Sequence, residues 1–406
     1  MCYCRCVAQP LDAVAAAALV RDEARALGFA RIGFSPVAPV ARHDVYRDWI
    51  ARGYAADMGY LDERSDARRD ATALLPGART IVSVALSYAH GGDVPVERLT
   101  RGAYGTIARY ARGDDYHVIL KDKLRALGNA VVARAGQPVT CLPCVDTAPL
   151  LERELASASG LGFQAKNTML IVPGAGSFLV LGELLTDLAC APGEDDLSTP
   201  RCGQCRRCLD ACPTGAFVDA YTLDARRCIA YLTIENAGPI PRELRPLIGD
   251  RIFGCDVCQD VCPFNAGTPA PGAPELAPRP EHQRPSLTRL LATGAAQFRK
   301  WQRGSALRRI HRPQLLRNVA VALGNVGTVD ELPALMQALG EPWPLVRAHV
   351  AWAIARIVSR AQDDGQRLPP VGHAALAALL AAAVAREADA DTRAELAAAA
   401  ATLAAA

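Results

Sequence analysis

CGQCRRCLDACPTGA, residues 202–216, spaces its four cysteines three, three and four apart and sets a proline after the last. A CxxCxxC loop can present three thiolates to one small cube of iron and sulfur without long-range help. In two-cluster proteins the fourth cysteine, just before proline, serves the other cluster. Cys202, Cys205 and Cys208 are therefore expected on one [4Fe–4S] cluster and Cys212 on a second. The second copy of the pattern is broken. CDVCQDVCP supplies Cys255, Cys258 and Cys262 before Pro263, and the member it lacks is displaced to Cys228. By symmetry cluster one takes Cys202, Cys205, Cys208 and Cys262, and cluster two takes Cys212, Cys228, Cys255 and Cys258. Paired CxxC segments also bind zinc, but prolines after both fourth cysteines and the interlocked CxxxCP spacing favour two clusters.

Fourteen cysteines in 406 residues would suit a disulfide framework only in a short secreted chain. The start, MCYCRCVAQPLDA, has no basic segment followed by an apolar core and no twin-arginine signal. No run of about 18 apolar residues reads as a membrane span; 171–188 comes closest, and Pro173, Glu183 and Asp187 interrupt it. A reducing, cytoplasmic setting without a membrane partner is expected. Six cysteines remain unassigned. Cys2, Cys4 and Cys6 belong to a frayed terminus, Cys190 reads as a small buried hydrophobe, and Cys141 with Cys144 forms a CxxC that is either a redox pair or two packing thiols.

The length predicts two or three domains. Residues 8–192 read as an α/β domain. Helices are expected over 12–27, capped by Gly28, over 116–127 and over 150–159, and strands at 30–34, 80–88, 169–172 and 178–181. Residues 193–267 carry the cysteine loops, as a ferredoxin-like insert. Residues 268–285, TPAPGAPELAPRPEHQRP, have the composition of an extended linker. Residues 286–406 are helical. LLRNVAVALGNVG (315–327) and LVRAHVAWAIARI (345–357) align at a period of 30, with Arg317 on Arg347, which suggests a HEAT-like α-solenoid.

These stretches resemble the epoxyqueuosine reductase family. The likeness rests on RYARGDDYH (109–117), VDTAPLLER (145–153), KNTMLI (166–171), LGELLTDL (181–188), CIAYLTIE (228–235) and GCDVCQDVCPFN (254–265), in the family's order. The resemblance implies a cobalamin-binding α/β domain, two [4Fe–4S] clusters and reduction of epoxyqueuosine to queuosine at the wobble position of tRNA. An external low-potential electron donor and a monomeric enzyme are implied as well. Asp146 would be the proton donor. Arg109, His117, Asp146, Lys166, Asn167, Ala230, Cys255 and Asp256 would contact cobalamin, His117 without ligating cobalt. The chain departs from the family pattern at Ala165, where GFQAKNT replaces the usual glycine, and at Ala230. Local sequence alone reads Asp146 differently, as the N-cap of a helix beginning at Leu150. Burial against an apolar corrin face would keep Asp146 protonated near neutrality.

From Gln283 to Arg317 nine Lys or Arg residues occur with no Asp or Glu. Unbalanced charge of this kind suits phosphate binding. Arg242, Arg245, Arg299, Lys300, Arg303, Arg308 and Arg309 are the expected tRNA contacts; six phosphate contacts would give a log–log salt slope of roughly −4 to −5. Phe298 and Trp301 are at helical spacing and read as core. The rival readings are another corrinoid iron–sulfur reductase, such as a reductive dehalogenase, and a ferredoxin-like carrier on a helical scaffold.

Overall fold

A computed structural model describes residues 10–91, 102–193, 198–268, 272–364 and 372–404. Cys2, Cys4 and Cys6 lie outside them. The chain divides into two compact units. One takes the described residues of 1–91, 113–226 and 257–277; the other takes those of 92–112, 227–256 and 278–406. The segment 193–267, expected as a domain of its own, is thus divided at 226 and 256. Its cysteine loops bring little apolar surface, and Cys202, Cys262 and Phe264 pack instead on Phe163, Ala165 and Ile171 of the first unit.

In the first unit, α1 (Ala13–Ala26) starts at Asp12, whose carboxylate accepts from the Val14 and Ala15 amides at 3.0 and 2.8 Å. Gly28 follows it at φ +81, the left-handed cap the sequence predicts. Four antiparallel strands form one sheet: β1 (Arg31–Pro36), β2 (Thr80–Ser87), β3 (Cys141–Cys144) and β4 (Leu179–Thr186), in the order β1-β2-β4-β3. β3 was not expected. It is a short edge strand, the place where a sheet tolerates Pro143.

Helices cover both faces of this sheet, which explains why β2 and β4 are buried almost throughout. On one face lies α2 (Tyr116–Arg134), seven residues longer than its predicted span, with Leu120 and Leu124 against Gly182. On the other lies α3 (Glu152–Ala158). A Cβ on Gly33 would come within 2.1 Å of the Ser159 carbonyl, so a glycine there permits α3 its close approach.

The second unit holds a π-helical turn (Tyr231–Glu235) and two short parallel strands (Thr106–Ile107 and Arg251–Phe253). The tail follows as α4 (Arg312–Val326), α5 (Leu332–Ala338), α6 (Pro344–Asp363), α7 (Gly372–Arg386) and α8 (Ala390–Ala404). α4 packs on α6, the pair that the 30-residue sequence repeat relates, and α6 packs on α8. Residues 268–285 are less extended than their composition suggests, since they include the short helices Pro274–Leu276 and Pro280–Gln283. Among the described residues no helix is long and apolar enough to cross a membrane.

Candidate active site and cluster ligands

Asp146 stands two residues beyond β3, at φ +34. It does not cap a helix: α3 begins six residues later, with no side-chain cap. Its Oδ2 accepts from the Tyr116 hydroxyl at 3.1 Å and meets His117 Nε2 at 2.9 Å. The other ring nitrogen, Nδ1, lies 2.7 Å from Asp115 Oδ1, and Asp115 also caps α2 through the His117 amide. The Tyr116 and His117 rings stack at 4.0 Å. Only an imidazolium can donate from both nitrogens. Burial pulls His117 down, but its hydrogen bonds and ion pairs with Asp115 and Asp146 outweigh that and hold it at about 9. The Asp146 side chain is 54% exposed, and in this trio the proton resides on His117.

Two glutamates behind this loop escaped the sequence reading. Glu152, the first residue of α3, accepts the Asp146 amide at 2.6 Å through Oε1. Glu183 is fully buried in β4. Glu152 falls within the helix expected over 150–159 and Glu183 only interrupts an apolar run, so no local signal singles out either.

The four cysteines expected on cluster one converge in the first unit. Burial raises the Cys262 thiol and so do Cys202 and Cys205; burial raises Cys208 and so do Cys262 and Cys202. Among the described residues no three His, Cys, Asp or Glu side chains come close enough to hold a single metal ion. Thiolates at the corners of a cube stand farther apart than those around one ion, so the set suits a cluster. Two expected cofactor contacts serve these loops instead. Lys166 Nζ donates to the Gly203 and Cys205 carbonyls at 2.6 and 3.1 Å. Asn167, 2% exposed, donates to the Cys258 carbonyl at 3.0 Å and accepts from the Met169 amide. Ala165, at a position where the family pattern has glycine, is buried beside Phe163. Of the cysteines expected on cluster two, Cys212 and Cys258 belong to the first unit and Cys228 and Cys255 to the second.

Cys141 and Cys144 are β3 residues. Burial first, then the charges of Glu183 and Glu152, push the Cys144 thiol up to about 12, and burial pushes Cys190 up to about 11. Thiols so hard to ionise suit packing rather than redox exchange.

In the second unit Arg109 and Asp256 are brought together. The Asp256 carboxylate accepts the Arg109 amide at 2.8 Å and lies 3.6 Å from its guanidinium. The basic run is divided by burial. Arg317 is fully buried and donates to the carbonyls of Leu232 at 2.8 Å, Asn236 at 2.7 Å and Gly238. Arg245, 2% exposed, forks onto Glu395 at 2.9 and 3.1 Å, so it is withdrawn as a tRNA contact. Arg309 forks onto Glu235, Arg312 onto Glu341, and Arg284 pairs with Asp250. Arg289, Arg299, Lys300, Arg303 and Arg308 stay exposed, as does Arg242, 3.7 Å from Glu395. Phe298 is core, as expected.

Two family models match the chain: "Epoxyqueuosine reductase QueG, DUF1730" over residues 68–147 and "4Fe-4S double cluster binding domain" over residues 201–265. The chain is 40% identical over 349 residues to the epoxyqueuosine reductase of Pseudomonas aeruginosa, covering 86% of this chain and 96% of that one. It is 37% identical over 354 residues to that of Escherichia coli, covering 87% and 93%. A crystal structure of epoxyqueuosine reductase with an epoxyqueuosine-modified tRNA-Tyr stem loop matches at 33% identity and a TM-score of 0.85, covering 95% and 97%. The Bacillus subtilis epoxyqueuosine reductase, with its catalytic aspartate loop swung out of the active site, matches at 32% and 0.84, covering 94% and 97%.

Proposed function

The chain belongs to the epoxyqueuosine reductase family, and we propose that it reduces epoxyqueuosine to queuosine at the wobble position of tRNA, with Asp146 delivering the proton that the departing oxygen takes. The reaction consumes two electrons and two protons and releases water. The observation that carries the assignment of Asp146 is its hydrogen bond to a charged His117. These identities set the dehalogenase alternative aside.

Two [4Fe–4S] clusters supply the electrons, one on Cys202, Cys205, Cys208 and Cys262 and the other on Cys212, Cys228, Cys255 and Cys258, with an external low-potential donor feeding them. Cobalamin, when bound, supplies two-electron reducing chemistry that no side chain offers at neutral pH. Its rim of amides needs both donors and acceptors. Arg109, His117, Asp146 and Asp256 offer both kinds, and we keep them with Ala230 and Cys255 as its contacts. The division at 192, 267 and 285 stands as a functional one: cofactor domain, cluster insert, linker and HEAT-like tail. A monomeric, cytoplasmic enzyme completes the proposal.

Asp146 Oδ2 can pass a proton to substrate only if it is resupplied, and His117 Nε2 is placed to do so. His117 holds its proton to about 9, above the ordinary 6.5. The ion pair's contribution to stability is therefore fully present below about 6.5 and lost as pH rises through about 9. Turnover at constant cofactor content is expected to fall over the same upper window. A His117→Gln variant should be slower at neutral pH and lack that step; a step that persists in the variant would assign it to another group.

Phosphates of the tRNA would meet the exposed cations Arg289, Arg299, Lys300, Arg303 and Arg308, with Arg242 beside them. Burial and pairing leave five of the nine in the run, so the log–log salt slope of tRNA affinity is expected at roughly −3.5 to −4.5. A slope near zero would refute the phosphate role. The reaction itself is tested by anaerobic assay on epoxyqueuosine-containing tRNA, with about eight iron and one cobalamin expected per chain. Corrinoid-free protein with full activity would overturn the cofactor reading, and no queuosine formed by loaded protein would overturn the reaction.

A further inference from the structure

Glu183 lies in β4 opposite Ser83 of β2 on one side and Cys144 of β3 on the other. With Gly33 of β1 these residues form one row across the sheet, and α3 lies over it. At one end Ser159, just beyond α3, meets Ser83 Oγ at 3.1 Å and completes its bonds with Ser35 Oγ at 3.1 Å and the Leu155 carbonyl at 2.8 Å. At the other end of α3 its first residue, Glu152, lies within hydrogen-bonding reach of Glu183. Neither oxygen of the buried Glu183 carboxyl finds a donor. The group within hydrogen-bonding reach is the Glu152 carboxyl, itself an acceptor unless protonated. Two carboxyls can bond only through a proton between them.

We propose that Glu152 and Glu183 share one proton and together form a latch that holds the Asp146 loop in its working position. Glu183 anchors Glu152 to the sheet, and Glu152 Oε1 holds the Asp146 amide at 2.6 Å, at a backbone conformation that a non-glycine residue adopts only under restraint. Both carboxyls are raised as a shared proton requires. Burial comes first for each; then the charge of Asp146 acts on Glu152, which reaches about 8, and Glu152 acts on Glu183. The Cys144 thiol beside them is neutral, and the Asp146 amide favours the ionised form of Glu152. Glu152 is thus a positioning residue, and its role in catalysis rests on Asp146 being the proton donor.

The test uses the full, cofactor-loaded chain and two readouts. Glu152→Ala is expected to speed amide exchange across residues 145–150 by about tenfold, the loss of a buried hydrogen bond. It should lower kcat by a similar factor with KM for tRNA and iron content unchanged. Glu152→Gln, whose amide can donate to Glu183 while its oxygen accepts from Asp146, is expected to restore both readouts to within about threefold. A third variant, Glu183→Leu, should match Glu152→Ala in exchange. Unchanged exchange in Glu152→Ala and Glu183→Leu would overturn the latch. Faster exchange with undiminished kcat would overturn its part in catalysis. Glu152→Gln as slow as Glu152→Ala, with exchange restored, would make the carboxyl itself catalytic and overturn the positioning role. The exchange readout needs no substrate, so inactivity of the wild-type chain on this tRNA would defeat the reaction reading and leave the latch standing on its own evidence.

Discussion

Asp146→Asn is expected to lower kcat by about two to four orders of magnitude, the usual contribution of a positioned general acid, with iron, cobalamin and tRNA affinity unchanged. Asparagine keeps the shape and one acceptor oxygen. It can still accept from Tyr116 and present its backbone amide to Glu152. It cannot carry a proton from His117 to substrate, nor form the ion pair at 2.9 Å. Tyr116→Phe, which removes one hydrogen bond to the same oxygen, should cost no more than about tenfold. Single-turnover rates with prereduced enzyme separate this from slow electron delivery. Turnover of Asp146→Asn within threefold of wild type would remove the residue from the chemistry.

The second large effect is on stability. Arg317 is a fully buried cation with no carboxylate bonded to it; it serves three carbonyls of the 232–238 segment and the Asn318 side chain. Burial draws its guanidinium below the usual arginine range. Arg317→Met would remove this donor from the Leu232 and Gly238 carbonyls, at about 1–3 kcal/mol each, while the Asn236 carbonyl keeps Gln314 Nε2 at 3.3 Å; total stability is about 5–15 kcal/mol. Unfolding of the second unit is expected at least about 10 °C lower. Arg347→Met provides the control at the equivalent point of the 30-residue repeat. Arg347 keeps 19% exposure and pairs with Glu387 at 2.6 Å; its loss leaves that carboxylate the Asp389 amide as a donor, so it should cost less. Equal midpoints for the two variants would show that the buried carbonyl bonds carry no special weight.

The same two arginines show where sequence reading stops. Aligned letters put the two at one point of a 30-residue period, and both fall on helices, α4 and α6. Which one meets solvent depends on segments 80 residues away, which no local period reports. The cluster thiols were legible because covalent spacing brings three sulfurs together before any fold forms. The Asp146 motif was legible, but the partners of its carboxylate were not, because they lie on α2, 29 and 30 residues earlier. The cluster-loop bonds of Lys166 and Asn167 were not legible. Their polar atoms reach carbonyls 37 to 91 residues on, a choice made by side-chain direction. Glu183 was hidden by the strength of its surroundings, since a buried strand reads as an apolar run with or without one acid.

The way the two units share the chain sets a timetable for synthesis. The first unit is complete only when residue 277 has been made, because it takes back residues 257–277 after the chain has left it at 226. Three thiolates for cluster one are on hand by Cys208, while the fourth, Cys262, follows 54 residues later. At roughly 5–20 residues per second that is a wait of about 3–11 s. For that interval the expected ligand set is one thiolate short, and the helical tail that Arg317 fastens to the 232–238 segment does not yet exist. Iron delivery to a nascent chain would have to bridge this gap, whereas delivery to a released chain would not. Pulse-labelled chains stalled before and after residue 262 would therefore differ sharply in the iron they retain.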